Sequence, residues 1–285
     1  MRLNGKLDLN FFSSGILMVF FTLFIFITDL GAQIKIYVDT DLEGASGVYK
    51  FAQTREKDTP LNIQACEYFM GDLAAVIRGL RDGGATEIIV NDGHGSQAVI
   101  PHLMVPGAVY LTGKPRPGGQ VLDKSFSGMV LVAFHAMNGT PDGVLHHTQS
   151  SKTEHKYWYN GVEFGEIGQM AALAGYYSIP PIMVSGDEAT CREAKKFFGT
   201  ECITVATKKG VAREAAFLYP FEETRKALYE GAKKAVAAIP KCKPFTLQLP
   251  IKGKMQYNDP NSTPENPKVI VKEKTFDSVL DILKF

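Results

Sequence analysis

The sequence predicts an α/β protein: a mainly parallel sheet flanked by helices, joined to a smaller C-terminal α+β subdomain. Three observations carry that expectation. Short apolar runs recur at residues 34–38, 87–90, 128–134 and 178–184, as strands buried on both faces read. Helically spaced stretches lie between several of them, an alternation that marks βαβ units. The first three runs each deliver ionisable residues at their C-terminal ends, where open parallel sheets bind ligands.

Taken in order, residues 34–38 run directly into Asp39-Thr-Asp-Leu-Glu-Gly44. Residues 61–80 carry Ile63, Cys66, Phe69, Leu73, Val76, Ile77 and Leu80 at helical spacing, and Gly83-Gly84 supplies the stop. The strand at 87–90 ends in Asn91-Asp-Gly-His-Gly-Ser96, and the strand at 128–134 is followed at once by His135. A helix over 165–177 leads to the strand at 178–184, which ends in Ser185-Gly-Asp-Glu188. Residues 190–198 read as helix, 202–206 as strand, and 221–239 as an amphipathic helix rich in Ala, Lys and Glu. After Pro240 the pattern changes: 243–251 and 268–272 alternate as half-exposed strands around a Pro/Asn loop. The expected organisation is therefore a leader over 1–32, an α/β catalytic domain over 33–240 and the α+β subdomain over 241–285.

Lys+Arg 31 against Asp+Glu 30 leaves +1, so the excess of positive charge that neutralises phosphates is missing and nucleic acid is excluded as an expected partner. Hydrophobic residues at 45% and charged residues at 21% exclude a disordered chain, a collagen and a coiled coil. Cys66, Cys191, Cys202 and Cys242 form no CxxC pair, so neither a zinc knuckle nor a thioredoxin-like motif is present, and thiols and disulfides both stay open. Arg2 and Lys6 precede an apolar run of twelve residues, 16–27, that Asp29 stops short of a spanning length. That anatomy favours a cleaved signal peptide over a permanent anchor, with cleavage after Ala32, export to a periplasm and no lasting membrane association. The stretch 113–119 lacks the spacing of a phosphate loop and reads as a flexible surface segment near the crevice. Trp158, between Tyr157 and Tyr159, reads as core or subunit contact.

Imidazole and carboxylate suit a divalent zinc ion that keeps an open position for water. Asp41 and Glu43 stand two apart, on one side of an extended segment. Taken alone, Glu166 between glycines reads as a favourable charge at a helix N-terminus. His94 and His135 end two strands of one sheet, and His146-His147 follow after ten intervening residues.

Five segments together, namely Asp41-Leu-Glu-Gly-Ala-Ser-Gly47, 90–96, Phe134-His-Ala136, 141–147 and Phe164-Gly-Glu-Ile-Gly168, resemble the zinc-dependent D-aminopeptidases encoded in bacterial dipeptide-transport operons. A lone D-x-E-G is weak, whereas five in order with compatible spacing are specific. The resemblance runs from about residue 34 to the C-terminus. It implies a dinuclear zinc site, two Zn2+ per subunit, with Asp41 bridging and Glu43, His94, His135 and Glu166 as the other ligands. It implies His147 as the catalytic histidine, short peptides as substrates and a ring-shaped homo-oligomer. Asp142 is an extra residue before His147, which leaves His146 as a rival. Asp39 and the export signal depart from the family pattern; Asp39 or one of the zinc ligands offers a partner for the substrate's ammonium. An exported peptide-binding protein without catalysis is the alternative from another class, and a glycosidase using paired carboxylates is a third.

Overall fold

The computed structural model describes residues 33–114, 121–263, 265, 266 and 268–285 together with Met1. The expected leader and most of the 113–119 stretch fall outside the described residues. Among the described residues eleven strands follow in chain order: β1 (Lys35–Thr40), β2 (Glu87–Asp92), β3 (Val109–Leu111), β4 (Gly128–Phe134), β5 (Lys156–Tyr159), β6 (Val162–Phe164), β7 (Pro181–Asp187), β8 (Ile203–Ala212), β9 (Ala215–Leu218), β10 (Ile251–Asn258) and β11 (Val269–Phe276). The helices are α1 (Pro60–Asp82), α2 (Glu166–Tyr176), α3 (Glu188–Phe198) and α4 (Phe221–Ala238).

The larger sheet has the order β3-β2-β1-β4-β7-β8-β9. All its pairings are parallel except β9 on β8, which is the expected architecture. Alternation along β1 shows how both faces are filled. Ile36 and Val38 join the core under α1 and α4, while Tyr37 joins the opposite core with Ile167 and Met170 of α2 and Ala194 of α3. Helix α1 starts because Thr59 caps it, accepting from the Asn62 amide at 3.2 Å, with Pro60 at the first turn. It stops at Gly84, whose φ of +106° only glycine adopts at no cost, while the Ala85 amide reaches back to Leu80 O at 2.9 Å. The strand order reverses between β1 and β4, so their C-terminal ends open the crevice that doubly wound sheets use for ligands.

The smaller sheet has the order β11-β10-β5-β6 and is antiparallel. It is not confined to 241–285, because β10 takes β5, from the middle of the chain, on its other edge. A two-stranded hairpin alone is marginal in water. Tyr157, Tyr159 and Phe164 supply the apolar mass that packs against Ile251, Met255, Phe276 and Ile282. The same alternation leaves Trp158 half-buried on the other face, with Lys254 Nζ 4.2 Å from its ring centroid. The expected strand over 243–251 begins only at Ile251. Pro244 and Pro250 carry no amide hydrogen, so the alternating segment between them has an interrupted donor row. All four cysteines are free thiols. Among the described residues no helix is long and apolar enough to cross a membrane.

Candidate metal centre

The ends of β1, β2 and β4 meet at one cleft of about 440 Å³. Asp41, Glu43, His94, His147 and Glu166 line it, and His135, only 1% exposed, lies beneath them. The six side chains fall into two sets of three whose ligating atoms lie within 4.8 Å of one another: Asp41, Glu43 and His94, and His135, His147 and Glu166. Asp41 joins the sets, since its Oδ2 is 3.2 Å from His135 Nε2. His135 Nε2 is also 3.4 Å from Glu166 Oε1, and His147 Nε2 lies 3.8 Å from the same oxygen.

Local structure explains the convergence. The loop after β1 lies flat on the end of β4, with the Gly44 amide donating to Ala133 O at 2.7 Å; a Cβ on Gly44 would collide with Phe134 O. That close approach is why the acidic pair is followed by glycine. On β4, Ala133 has a φ of +61° and the pairing register with β7 shifts there. This bend in the strand sits two residues before His135 and re-aims it. Asp92 shapes the loop that carries His94, accepting from the amides of Ala98 (3.0 Å) and Val99 (3.2 Å) and from the Thr112 hydroxyl (2.8 Å). Glu166 begins α2, as expected, and accepts from the Gln149 amide at 2.7 Å.

The histidine tautomers decide what the cluster can bind. His135 Nδ1 is 3.0 Å from Ala136 O, and His147 Nδ1 is 2.8 Å from Leu145 O. A carbonyl only accepts, so both Nδ1 atoms carry the hydrogen. Ser96 Oγ donates to Thr54 O at 3.3 Å and is therefore left to accept from His94 Nδ1, 3.0 Å away. Each neutral ring then turns a bare Nε2 lone pair toward carboxylate oxygens: His94 toward Glu43 Oε1 at 3.3 Å, His135 toward Asp41 and Glu166. Lone pairs facing one another repel unless a cation or a proton lies between them. Asp41 Oδ2, Glu43 Oε2 and His135 Nε2 are moreover buried without a hydrogen bond of acceptable geometry. Imidazole nitrogen and carboxylate oxygen at such spacing fit divalent zinc, and the second ring nitrogen held by a protein acceptor is the usual supporting contact of a ligating histidine.

Without a metal, protons must do that work. Burial pulls His94 down, but the Glu43 carboxylate overrides it and pushes the ring up to about 9. Burial, reinforced by Glu43, pushes Asp41 up to about 7. Burial would also raise Glu166, but His135 and His147 hold it at about 2. One carboxyl of the Asp41–Glu43 pair is thus raised while Glu43 is held well below its ordinary range by His94.

His146 belongs to neither set. Its Nδ1 accepts from the Gly139 amide at 3.0 Å, so the extra residue Asp142 leaves His147 facing the site. Asp142 itself pairs with Arg192 at 2.5 Å, away from the cluster. Asp39 is 2% exposed, lines the cleft and accepts from Asn91 Nδ2 at 2.6 Å. Three contributors have no sequence signature. Lys208 is fully buried beneath the acidic loop and donates to Glu43 O and Ala45 O, both at 2.7 Å; burial pulls it down to about 8. Gln149 orients Glu166, and Glu193 supports the turn after His135.

Glu193 Oε2 accepts from the Met137 amide at 2.7 Å, and its buried Oε1 is pressed against Gly165, where any Cβ would collide with it. Burial pushes this carboxyl up from 4.5 to about 7, against the Met137 hydrogen bond. The folded protein therefore keeps a proton that the unfolded chain gives up, and stability falls as pH rises from 4.5 towards about 7. Glu193→Gln is expected to remove this loss. Urea unfolding of metal-free protein should show the variant gaining on wild type across that window, by roughly 3 kcal/mol at its top; a difference that is flat with pH would contradict it.

A family model described as Peptidase M55, D-aminopeptidase, matches residues 34–267. A curated D-aminopeptidase of Bacillus subtilis (strain 168) is 30% identical over 224 residues, 74% of this chain and 77% of its own. A solved Zn-dependent D-aminopeptidase from Bacillus subtilis, described as a self-compartmentalizing protease, covers 87% of this chain and 94% of that one with a TM-score of 0.77. At 23% identity that likeness shows the fold.

Proposed function

Because this chain belongs to the M55 peptidases, the D-aminopeptidase family, and is a metallo-aminopeptidase of that kind, we propose that it is an exported zinc enzyme hydrolysing short peptides with an N-terminal D-residue. The observation that carries the reading is the pair of three-residue sets joined through Asp41, with buried donor atoms that lack hydrogen bonds. Asp41, Glu43, His94, His135 and Glu166 would hold two zinc ions, Asp41 being the residue within reach of both sets. Zinc, when bound, acidifies water towards neutrality and polarises a carbonyl oxygen.

The chain's own residues do the rest. His147 presents an unprotonated Nε2 at the cleft and accepts a proton there, its Nδ1–H staying on Leu145 O. Once protonated it becomes a donor aimed into the cleft, able to stabilise the tetrahedral oxyanion and return the proton to the departing amine. Asp39 lines the same cleft and offers its charge to the substrate's ammonium. A binding protein without catalysis is not favoured, since it has no use for the bare donor atoms.

Export rests on the apolar run 16–27 and the basic residues before it. Assembly into a ring of identical subunits is supported by the self-compartmentalizing relative and by the exposed apolar residues Val211, Phe217 and Leu218 on the β8–β9 edge. The test is hydrolysis of D-Ala-D-Ala and L-Ala-L-Ala by the mature protein with and without added zinc. Zinc-dependent turnover of the D-peptide is expected, by a protein whose intact mass begins near Gln33 in the periplasmic fraction and whose light-scattering mass is several times one chain. Chelator-insensitive turnover sinks the zinc reading, and a retained leader sinks export.

A further inference from the structure

The cleft is polarised. Its floor carries Asp39, Asp41, Glu43 and Glu166, whereas its rim carries Arg55, Lys114 and Lys152. Opposite charge at the two ends orients a zwitterion, ammonium inward and carboxylate outward. The rim cations are not equivalent. Lys114 Nζ donates to Gly95 O at 2.8 Å, and Lys152 is an exposed lysine on the segment after Gln149. Arg55 is clamped. Its guanidinium lies 3.4 Å from the Phe51 ring centroid, Nε donates to Ser151 Oγ at 2.8 Å and Nη2 to Ser151 O at 2.7 Å.

Arg55 also stands without a counter-ion: among the described residues no carboxylate is within ion-pair distance of it, while its neighbour Arg213 is paired with Glu154 at 2.8 Å. Phe51, the ring under Arg55, stands edge-on to His147 with centroids 6.2 Å apart, so a single aromatic ring separates the guanidinium from the reactive histidine. A planar guanidinium already held in place, with its Nη1 hydrogens unshared among the described residues, suits the planar carboxylate and loses little further freedom on binding it. In an extended dipeptide the two termini are only roughly 7 Å apart. A dipeptide held by its carboxylate at the rim has a single peptide bond to offer the floor.

We propose that Arg55 forms a subsite for the C-terminal carboxylate of the substrate, making the enzyme selective for free-acid dipeptides. This rests on the hydrolase reading, and the test separates the two. The probes are D-Ala-D-Ala with its peptide carbonyl reduced to methylene, which cannot be hydrolysed, and the C-terminal amide of the same compound, titrated calorimetrically into the full chain. The free acid is expected to bind about 10–100-fold more tightly than the amide. Arg55→Gln should bring the acid down to the affinity of the amide and leave the amide unchanged, while Arg55→Lys, with charge but no fork, should keep part of the preference.

Equal binding of acid and amide by wild type overturns the proposal. So does an Arg55→Gln variant that weakens both alike, the mark of an arginine that only holds the Ser151 loop. An amidated analogue with D-Glu in the second position carries its carboxylate on the side chain alone; binding as tight as that of the free acid overturns the C-terminal assignment. If the preference exists and Arg55→Gln removes it, yet no D-peptide is turned over, the subsite stands and the hydrolase reading falls.

Discussion

His135→Ala is expected to yield a folded protein that has lost most of its zinc and all measurable hydrolysis. His135 is the side chain that binds the two sets together, with Nε2 3.2 Å from Asp41 Oδ2 and 3.4 Å from Glu166 Oε1. His147, stacked on its face with ring centroids 3.9 Å apart, meets one of these two carboxylates, its Nε2 lying 3.8 Å from Glu166 Oε1. Losing even a residue that merely supports a ligand commonly costs 10–100-fold in metal affinity, so losing a ligand should cost at least about 100-fold. The fold should survive, because the core under α1 and α4 and the core under α2 and α3 consist of apolar side chains and do not include the ring. Zinc content after dialysis, kcat and the circular dichroism spectrum read the three parts of this expectation. A variant with full zinc and full turnover would falsify the ligand assignment.

The sheet and most of the site were legible in the sequence for one physical reason. Parallel strands buried on both faces are continuous apolar runs, so the first polar residue after each run marks its C-terminal end, and the ends lie side by side. Asp41, Glu43, His94 and His135 were found that way. Glu166 and His147 lie on the long connection between β4 and β7, where no periodicity points at the cleft, and only the family resemblance reached them. What the sequence concealed is tertiary. Lys208, in a Thr-Lys-Lys-Gly stretch just beyond the strand expected over 202–206, is fully buried because two carbonyls of the acidic loop take its hydrogens. Arg55 looks like any surface arginine until the Phe51 ring and Ser151 are seen to fix it. The run 243–251 satisfied period two but not the donor requirement of a sheet, and the short strands β5 and β6 are too brief to show a period. The choice between His146 and His147 turned on backbone: Leu145 and Gln149 take φ of +52° and +64°, strained values for side chains of their kind, and no spacing rule foresees them.

His147→Ala is the second substitution of large effect, and it separates chemistry from coordination. The hydrogen on Nδ1 is committed to Leu145 O, so the ring meets the cleft with Nε2 alone. Burial and then the neighbouring His135 hold the ring below the ordinary imidazole value of 6.5, and a cation bound beside it acts in the same direction. At neutral pH His147 is therefore an unprotonated base, and the acidic limb of the kcat profile should lie below 6.5. Removing a positioned acid/base typically costs 10²–10⁴ in rate, so kcat should fall by about that factor while the zinc content stays near wild type. His146→Ala, which gives up a hydrogen bond with the Gly139 amide and touches neither set, should turn over almost normally. If His147→Ala instead loses zinc, the residue completes the second set as a ligand. The proton acceptor must then be a carboxylate, with Asp39 the first to replace, because it is the acidic residue of the cleft floor that stands outside both sets.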